Sequence, residues 1–498
     1  MFSNIFALHP QYREEFGAFG SSVSLSGNRL VVGARKAANR KGAAHAFLRT
    51  DTGWLEEAEL LAVDGHAGDD FGFSIALSGN TTLVGAPLTN DGLRFPGAAH
   101  VFTHRDGGWI HEAKLVGRDG MSLDLFGYSV AIDGDTAVVG AFQARHEGNE
   151  TGAVYVFGRT GNSWQEQARL VPADARHHDR VGISVAISGR TILIGADGSD
   201  DQGDSSGAAY VFTKHEDGWH QETKLTAGDG AESTFFGHPV ALEGDTAFVG
   251  TYLADGKTPG SGAVYVYARD ERGWTEQSKL VAGDGVTGDA FGASLAVSGD
   301  KLVVGAPQAD DRGTWSGAGY VFVREDATWT EFGKFVADDG APRDETGAAV
   351  GISGNTIVAS APKRDGAGHD MGSAYVFEMG HALTDGASCR NDSECISNAC
   401  AEGICQSTGE AECGSMGTSG PSSQNHGEMG FEEGSTVRSP CTQADVTFVE
   451  TSVDHVSGGC ALGRVTGNDA GFAGLGLLLM AVTLRARAGH YSAKSPRH

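Results

Sequence analysis

The chain has 498 residues, 64 of them Asp or Glu against 37 Lys or Arg, for a net charge of −27. Forty per cent hydrophobic residues exclude a wholly disordered chain. The acidic excess argues against a surface that grips nucleic acid or anionic lipid through Lys and Arg. With 75 Gly, the remainder is a β-rich body, long enough for about three domains at ~150 residues each or for one repeat array.

In chain order, residues 1–10 lack the basic start and apolar run of a secretory signal. From Phe19 a single unit recurs. Phe-Gly pairs stand at Phe19, Phe71, Phe126, Phe236 and Phe291, with degenerate copies at Val181 and Thr346, spaced 52 residues once and 55 thereafter. Thirteen residues past each of these glycines comes a Gly-Ala or related pair, as at Gly33, Gly85, Gly140, Gly195, Gly250, Gly305 and Ser360. A third mark opens at Gly42, Gly97, Gly152, Gly207, Gly262, Gly317 and Gly372, and a Trp follows at 54, 109, 164, 219, 274 and 329. The one short spacing reflects three residues missing between Gly33 and Gly42.

Each unit reads as four strands. Two form a hairpin across a Gly-led turn such as Gly134-Asp135, which suits positive φ at its first position. The third, as in Ala153-Val154-Tyr155-Val156-Phe157, is apolar on both faces and must lie between two layers. The fourth begins at the Trp and alternates apolar with polar, so one side meets water and its charges discourage edge pairing. Seven such units predict an all-β, seven-bladed β-propeller of four-stranded blades over residues 1–380. The motif resembles the FG-GAP repeats that build the seven-bladed propeller of integrin α chains and many bacterial surface proteins. In that reading Phe wedges between blades and Gly permits tight turns or close approach. Only six Trp-led outer strands follow the seven inner sets; counting back from Phe19 makes Phe2–Leu8 the missing outer strand, paired with 372–377.

Acids recur in the connections. Asp64, Asp119, Asp174, Asp229, Asp284 and Asp339 lie seven residues before the Phe-Gly position, and Asp69, Asp124, Asp179, Asp289 and Asp344 two before it, with Thr234 breaking the second set. Further carboxylates gather at Asp200, Asp201 and Asp204 and at Asp310 and Asp311. The integrin resemblance implies Ca²⁺ in acidic loops, yet no segment has the Asp-x-Asp-x-Asp-Gly pattern of that family; Asx-turns that cap the crossovers are the competing reading. No catalytic motif occurs, so no enzyme is indicated, and His177-His178 reads as a solvated pair. The register of the six Trp marks them as packing. Trp315 stands off-register beside Asp310 and Asp311, which singles it out for ligand contact.

All seven Cys lie in the last 110 residues. Cys389, Cys395, Cys400 and Cys405 form a module over 387–413 that is too small for a core of its own and calls for disulfides, with three pairings open; zinc is disfavoured because paired C-x-x-C spacing is missing. The module is similar to short Cys-rich modules that precede the C-terminus of myxobacterial surface proteins. Residues 414–457, rich in Gly, Ser, Thr and Glu, read as a flexible spacer. In 458–498, Cys460 precedes an uncharged stretch at 470–484 and a basic end. Fifteen apolar residues fall short of a full span at ~20. This order resembles the MYXO-CTERM sorting signal, which implies export, processing or modification at Cys460, and surface attachment through this segment alone. Export needs a leader, so the expectation is that the true start lies upstream.

These readings converge on a monomeric, non-catalytic cell-surface binding or adhesion protein that requires no cofactor, with an extracellular protein or polysaccharide as partner. The alternatives are a secreted or surface hydrolase or lyase with a site on the propeller face, and a structural envelope component.

Overall fold

A computed structural model describes residues 2–10, 15–90, 96–366, 368–380, 400–401 and 404–405. Seven four-stranded antiparallel sheets follow one another along the chain. Blade 3 shows the plan: Ser129–Asp133, Thr136–Ala141, Ala153–Thr160 and Ser163–Leu170 pair in that order, from first strand to fourth. The first hairpin closes with Asp133 opposite Thr136, and Gly134 takes φ +54 in the two-residue turn.

The first strands of successive blades pack on one another all the way round, and that of blade 7, Val350–Ser353, meets Phe19–Ser26 of blade 1. The sheets therefore close a ring, with first strands innermost: a seven-bladed propeller. The third strand of blade 3 is buried along most of its length on both faces, while its fourth strand alternates between exposed and half-buried residues. Blade 7 is completed from the other end of the sequence. Phe2–Leu8 runs antiparallel to Ser373–Met379, with Leu8 opposite Ala374 and Phe2 opposite Met379.

The core is divided among the gaps between blades. One buried cluster joins Leu83, Val101 and Leu115 of blade 2 to Phe126, Val139 and Tyr155 of blade 3, and equivalent clusters fill every other gap. The last combines Leu8, Val358 and Val376 of blade 7 with Phe19, Leu30 and Phe47 of blade 1. Each Phe of the Phe-Gly mark is buried in such a gap, and Phe126 stands edge-on to Tyr155 at 5.3 Å. Burying one such ring contributes about 1.5–3 kcal/mol. The Trp at the head of each fourth strand packs against the same clusters, and five of the six lie under a cation, as with Arg159 5.7 Å from the ring of Trp164.

The Gly marks are the points where blades touch. A Cβ on Gly140 would come within 2.1 Å of the Gly182 carbonyl of blade 4, and Ser129 Oγ donates to that same carbonyl at 2.8 Å. Only a residue without a side chain permits this approach.

Candidate functional site

Antiparallel order places the loop between second and third strands at the same end of a blade as the crossover from the preceding blade. These connections form one face of the disc, and most of the acids singled out in the sequence lie on it. The two recurrent Asp positions have separate structural tasks. Asp119, in the crossover that enters blade 3, accepts the Tyr155 hydroxyl at 2.8 Å and an ion pair from Arg169 at 3.1 Å. Asp229 does the same with Tyr265 and Lys279, and Asp284 with Tyr320 and Lys334. Burial alone would raise the Asp284 carboxyl, but the Lys334 and Tyr320 hydrogen bonds outweigh it and hold the group below the usual range.

The second position caps the crossover turn. Asp289 Oδ2 accepts the Val286 N–H at 2.7 Å, and Asp69, Asp124, Asp179 and Asp344 each accept the amide three residues back. The carboxylates thus cap the crossover turns by reaching back three residues, not forward two as the Asx-turn reading expects. Burial pushes Asp124, Asp179, Asp289 and Asp344 upward in spite of the amide bond. Thr234 instead donates its hydroxyl to the carbonyls of Ala231 and Ser206, tying the same turn by other means.

The loops after the second strands share a further device. Asp200, Asp255, Asp310 and Asp365 each use Oδ1 to accept the N–H five residues on, from Ser205, Gly260, Trp315 and Asp370 at 2.8–3.0 Å. That acceptor turn requires a left-handed residue: φ is +53 at Ser205, +66 at Gly260, +58 at Trp315 and +46 at Asp370. A small or polar residue suits the position; a Trp there is uncommon. Asp201 pairs with Lys224, and Asp311 pairs with Lys334 at 2.7 Å, so both carboxylates are engaged within their blades. Asp204 is exposed, with Ser205 Oγ at 3.4 Å. Among the described residues no three His, Cys, Asp or Glu side chains gather as a metal site.

Blade 6 brings several of these groups together. A cleft of about 460 Å³ is lined by Asp284, Asp289, Asp310, Asp311, Trp315 and Lys334. Trp315 is 36% exposed, the only exposed Trp among the described residues, and Val286 beside it is also exposed. The cleft combines an aromatic surface, hydrogen-bond acceptors and one ammonium, a set suited to a polar ligand with an apolar face. The equivalent loop of blade 4 has the carboxylates and Lys224 but carries Ser205 in place of the Trp.

The FG-GAP repeat profile matches residues 14–47, 54–102, 109–157, 164–212, 219–267, 274–322 and 329–377. The chain belongs to the FG-GAP repeat family. No curated protein matches it. FG-GAP repeats are typical of extracellular or surface proteins, and each matched segment ends within or at the close of a third strand.

One feature of this FG-GAP propeller escaped sequence reasoning. The residues next to each Phe-Gly and Gly-Ala mark converge around the inner opening of the disc, on the loop face. Phe73 and Tyr128 lie 4.8 Å apart, and Tyr128 meets Phe142 at 4.5 Å. Further round, Arg180 lies 5.4 Å from the ring of Phe235 and pairs at 2.9 Å with Asp197, which is 3% exposed; His238 and Tyr252 complete this side. Burial pushes both Tyr128 and Tyr252 up to about 12. The available signal was positional: the residue after Phe-Gly is Phe73, Tyr128 and His238 in three units but Ser21, Ala293 and Ala348 in others.

In the Cys-rich segment, Cys400 lies opposite Cys405 in a two-stranded ribbon, Cys400–Ala401 with Ile404–Cys405. Cys389, Cys395 and Cys460, the spacer and the apolar stretch at 470–484 lie outside the described residues. Among the described residues no helix is long and apolar enough to cross a membrane.

Proposed function

We propose that this FG-GAP propeller is a non-catalytic binding or adhesion protein of the cell surface, and that it receives an extracellular protein or glycan partner in the blade 6 cleft. The observation that carries this reading is Trp315. It occupies a left-handed position that Ser, Gly and Asp fill in the other blades that use the same turn, and it is exposed beside Asp310 and Asp311. Backbone strain and an exposed indole cost stability in the free protein. Ligand contact accounts for both. Export and attachment through the segment around Cys460 complete the proposal, with the propeller held away from the envelope by the spacer.

The test is a glycan and extracellular-protein array probed with the full chain and with Trp315→Ala. Retention of one ligand class by the parent, weakened at least about tenfold in the variant, supports the reading; that factor is about 1.4 kcal/mol. Equal retention by both proteins would exclude the cleft, and turnover of a bound ligand would favour an enzyme. Ca²⁺ ligation at Asp310 and Asp311 is a separate proposal. It requires Asp311 to leave Lys334, so a rise in melting temperature on adding Ca²⁺ is its signature, and an unchanged melt excludes it.

A further inference from the structure

Positive charge is concentrated at one place on the loop face. The blade 1 loop carries Arg35, Lys36, Arg40 and Lys41 within seven residues of a chain whose net charge is −27. The corresponding loops of blades 4 and 6 carry Asp200, Asp201 and Asp204, and Asp310 and Asp311. Two cations of this sector have partners. Arg40 holds both carboxylate oxygens of buried Asp70, at 2.8 and 2.7 Å, and Lys363 from blade 7 pairs with Glu345 at 2.6 Å.

Arg35 and Lys36 are half-buried, and neither side chain makes a hydrogen bond or ion pair with any described residue. The Arg35 guanidinium lies 5.1 Å from the Phe73 ring, and Asp70, the carboxylate that acts on it, is already occupied by Arg40. Burial lowers the pKa of both groups, and on Lys36 repulsion from Arg35, Lys363 and Arg40 adds to the effect while attraction from Asp370 opposes it. Two adjacent, partly desolvated cations that form no direct ion pair with any described residue are unfavourable, and an arriving anion relieves that cost.

The surroundings narrow the class of anion. Phe73 and Tyr128 form an aromatic wall next to Arg35, and the lining shrinks to Ala348 and Ser21 at the blades on its other side. Rings beside a guanidinium suit a ring-shaped carrier with one oxyanion, because Arg binds a carboxylate through two parallel bonds and aromatic surfaces pack on sugar rings. The acidic loops of blades 4 and 6 would repel a densely charged chain of phosphates, so a sparsely charged ligand fits better.

We propose that Arg35 and Lys36, with Phe73 and Tyr128, bind the carboxylate of an acidic sugar residue in a glycan. This rests on the reading of the loop face as a binding surface and adds a second subsite to it. The test is isothermal titration of the full chain at low salt with tri-galacturonic acid and with its neutral methyl ester. The acid is expected to bind and the ester not. Arg35→Met and Lys36→Met each weaken the acid at least tenfold with unchanged circular dichroism and no loss of melting temperature, and Lys36→Arg retains binding. Equal binding of acid and ester, silence with the acid, or insensitivity to Arg35→Met and Lys36→Met overturns the proposal. Acid binding that survives both Met variants would overturn the subsite while leaving the loop face a binding surface. If Arg35→Met does not fold, the contrast between Lys36→Met and Lys36→Arg decides.

Discussion

The gaps between blades and the loop face come from the same repeat but are built under opposite constraints. In the gaps one solution recurs: a Phe edge-on to an aromatic of the third strand, a Gly against a neighbouring carbonyl, and a Trp at the rim. On the face, the turns keep their caps but the residues at their tips differ from blade to blade. The difference teaches that the ring is specified by repetition, while binding chemistry is carried by departures from it. Trp315 and Arg35 are such departures on the face, and His100 is a departure inside a gap.

The comparison breaks most severely at the closing strand. Removing residues 1–10 strips Phe2, Phe6 and Leu8 from the two gaps that flank blade 7 and exposes the edge of Ser373–Met379. A loss of about 5 kcal/mol is expected from three apolar side chains at ~1.5–3 kcal/mol each, read by denaturant unfolding. Gly140→Ala comes next. Its Cβ would meet the Gly182 carbonyl at 2.1 Å, so blades 3 and 4 must part, at a cost of about 1–3 kcal/mol in the same assay.

His100 tests whether a departure inside a gap is costly. It stands where Tyr155, Tyr210, Tyr265, Tyr320 and Tyr375 stand in other blades. It is 1% exposed with Nε2 unpartnered, and burial together with His111 pushes its pKa down to about 3. The unfolded chain then takes up a proton below pH ~6.5 that the folded protein refuses, so the contribution of His100 to stability is full above that pH and falls below it, by about 2 kcal/mol at pH 5. His100→Tyr should remove that dependence, because a phenol stays protonated in both folded and unfolded chains at these pH values. Its hydroxyl would take the place that Tyr155 has beside Asp119, here next to Asp64, which Lys114 holds at 2.6 Å. Unfolding measured at pH 7 and pH 5 checks this; an unaltered pH slope in the variant would contradict it. The smallest effect on stability is expected at the face: Trp315→Ala should change unfolding by less than about 0.5 kcal/mol while weakening ligand retention.

Much of the ring was legible in the sequence because packing between identical neighbours forces the same residue type to return every 55 positions. Phe126, Gly140, Tyr155 and Trp164 each answer to a neighbour that has its own counterpart one unit on, so spacing alone exposes them. The roles of the acids were half legible. That Asp124 and Asp289 cap crossover turns follows from turn chemistry, though they reach back three residues rather than forward two, whereas the bonds from Tyr155 to Asp119 and from Tyr320 to Asp284 span 36 residues and depend on how a crossover lies against the blade it enters. The opening of the disc was not legible. Phe73, Tyr128, Arg180 and Tyr252 come from four units and meet only because the ring closes, and no local pattern announces such a meeting.

Closure is the central claim, and amide hydrogen exchange of the full chain followed by mass spectrometry tests it most directly. Amides of Phe2–Leu8 should be protected and should exchange together with those of Ser373–Met379, because the two segments form one antiparallel ladder. Exchange of Phe2–Leu8 at the rate of a free tail, with Ser373–Met379 still protected, would contradict the account.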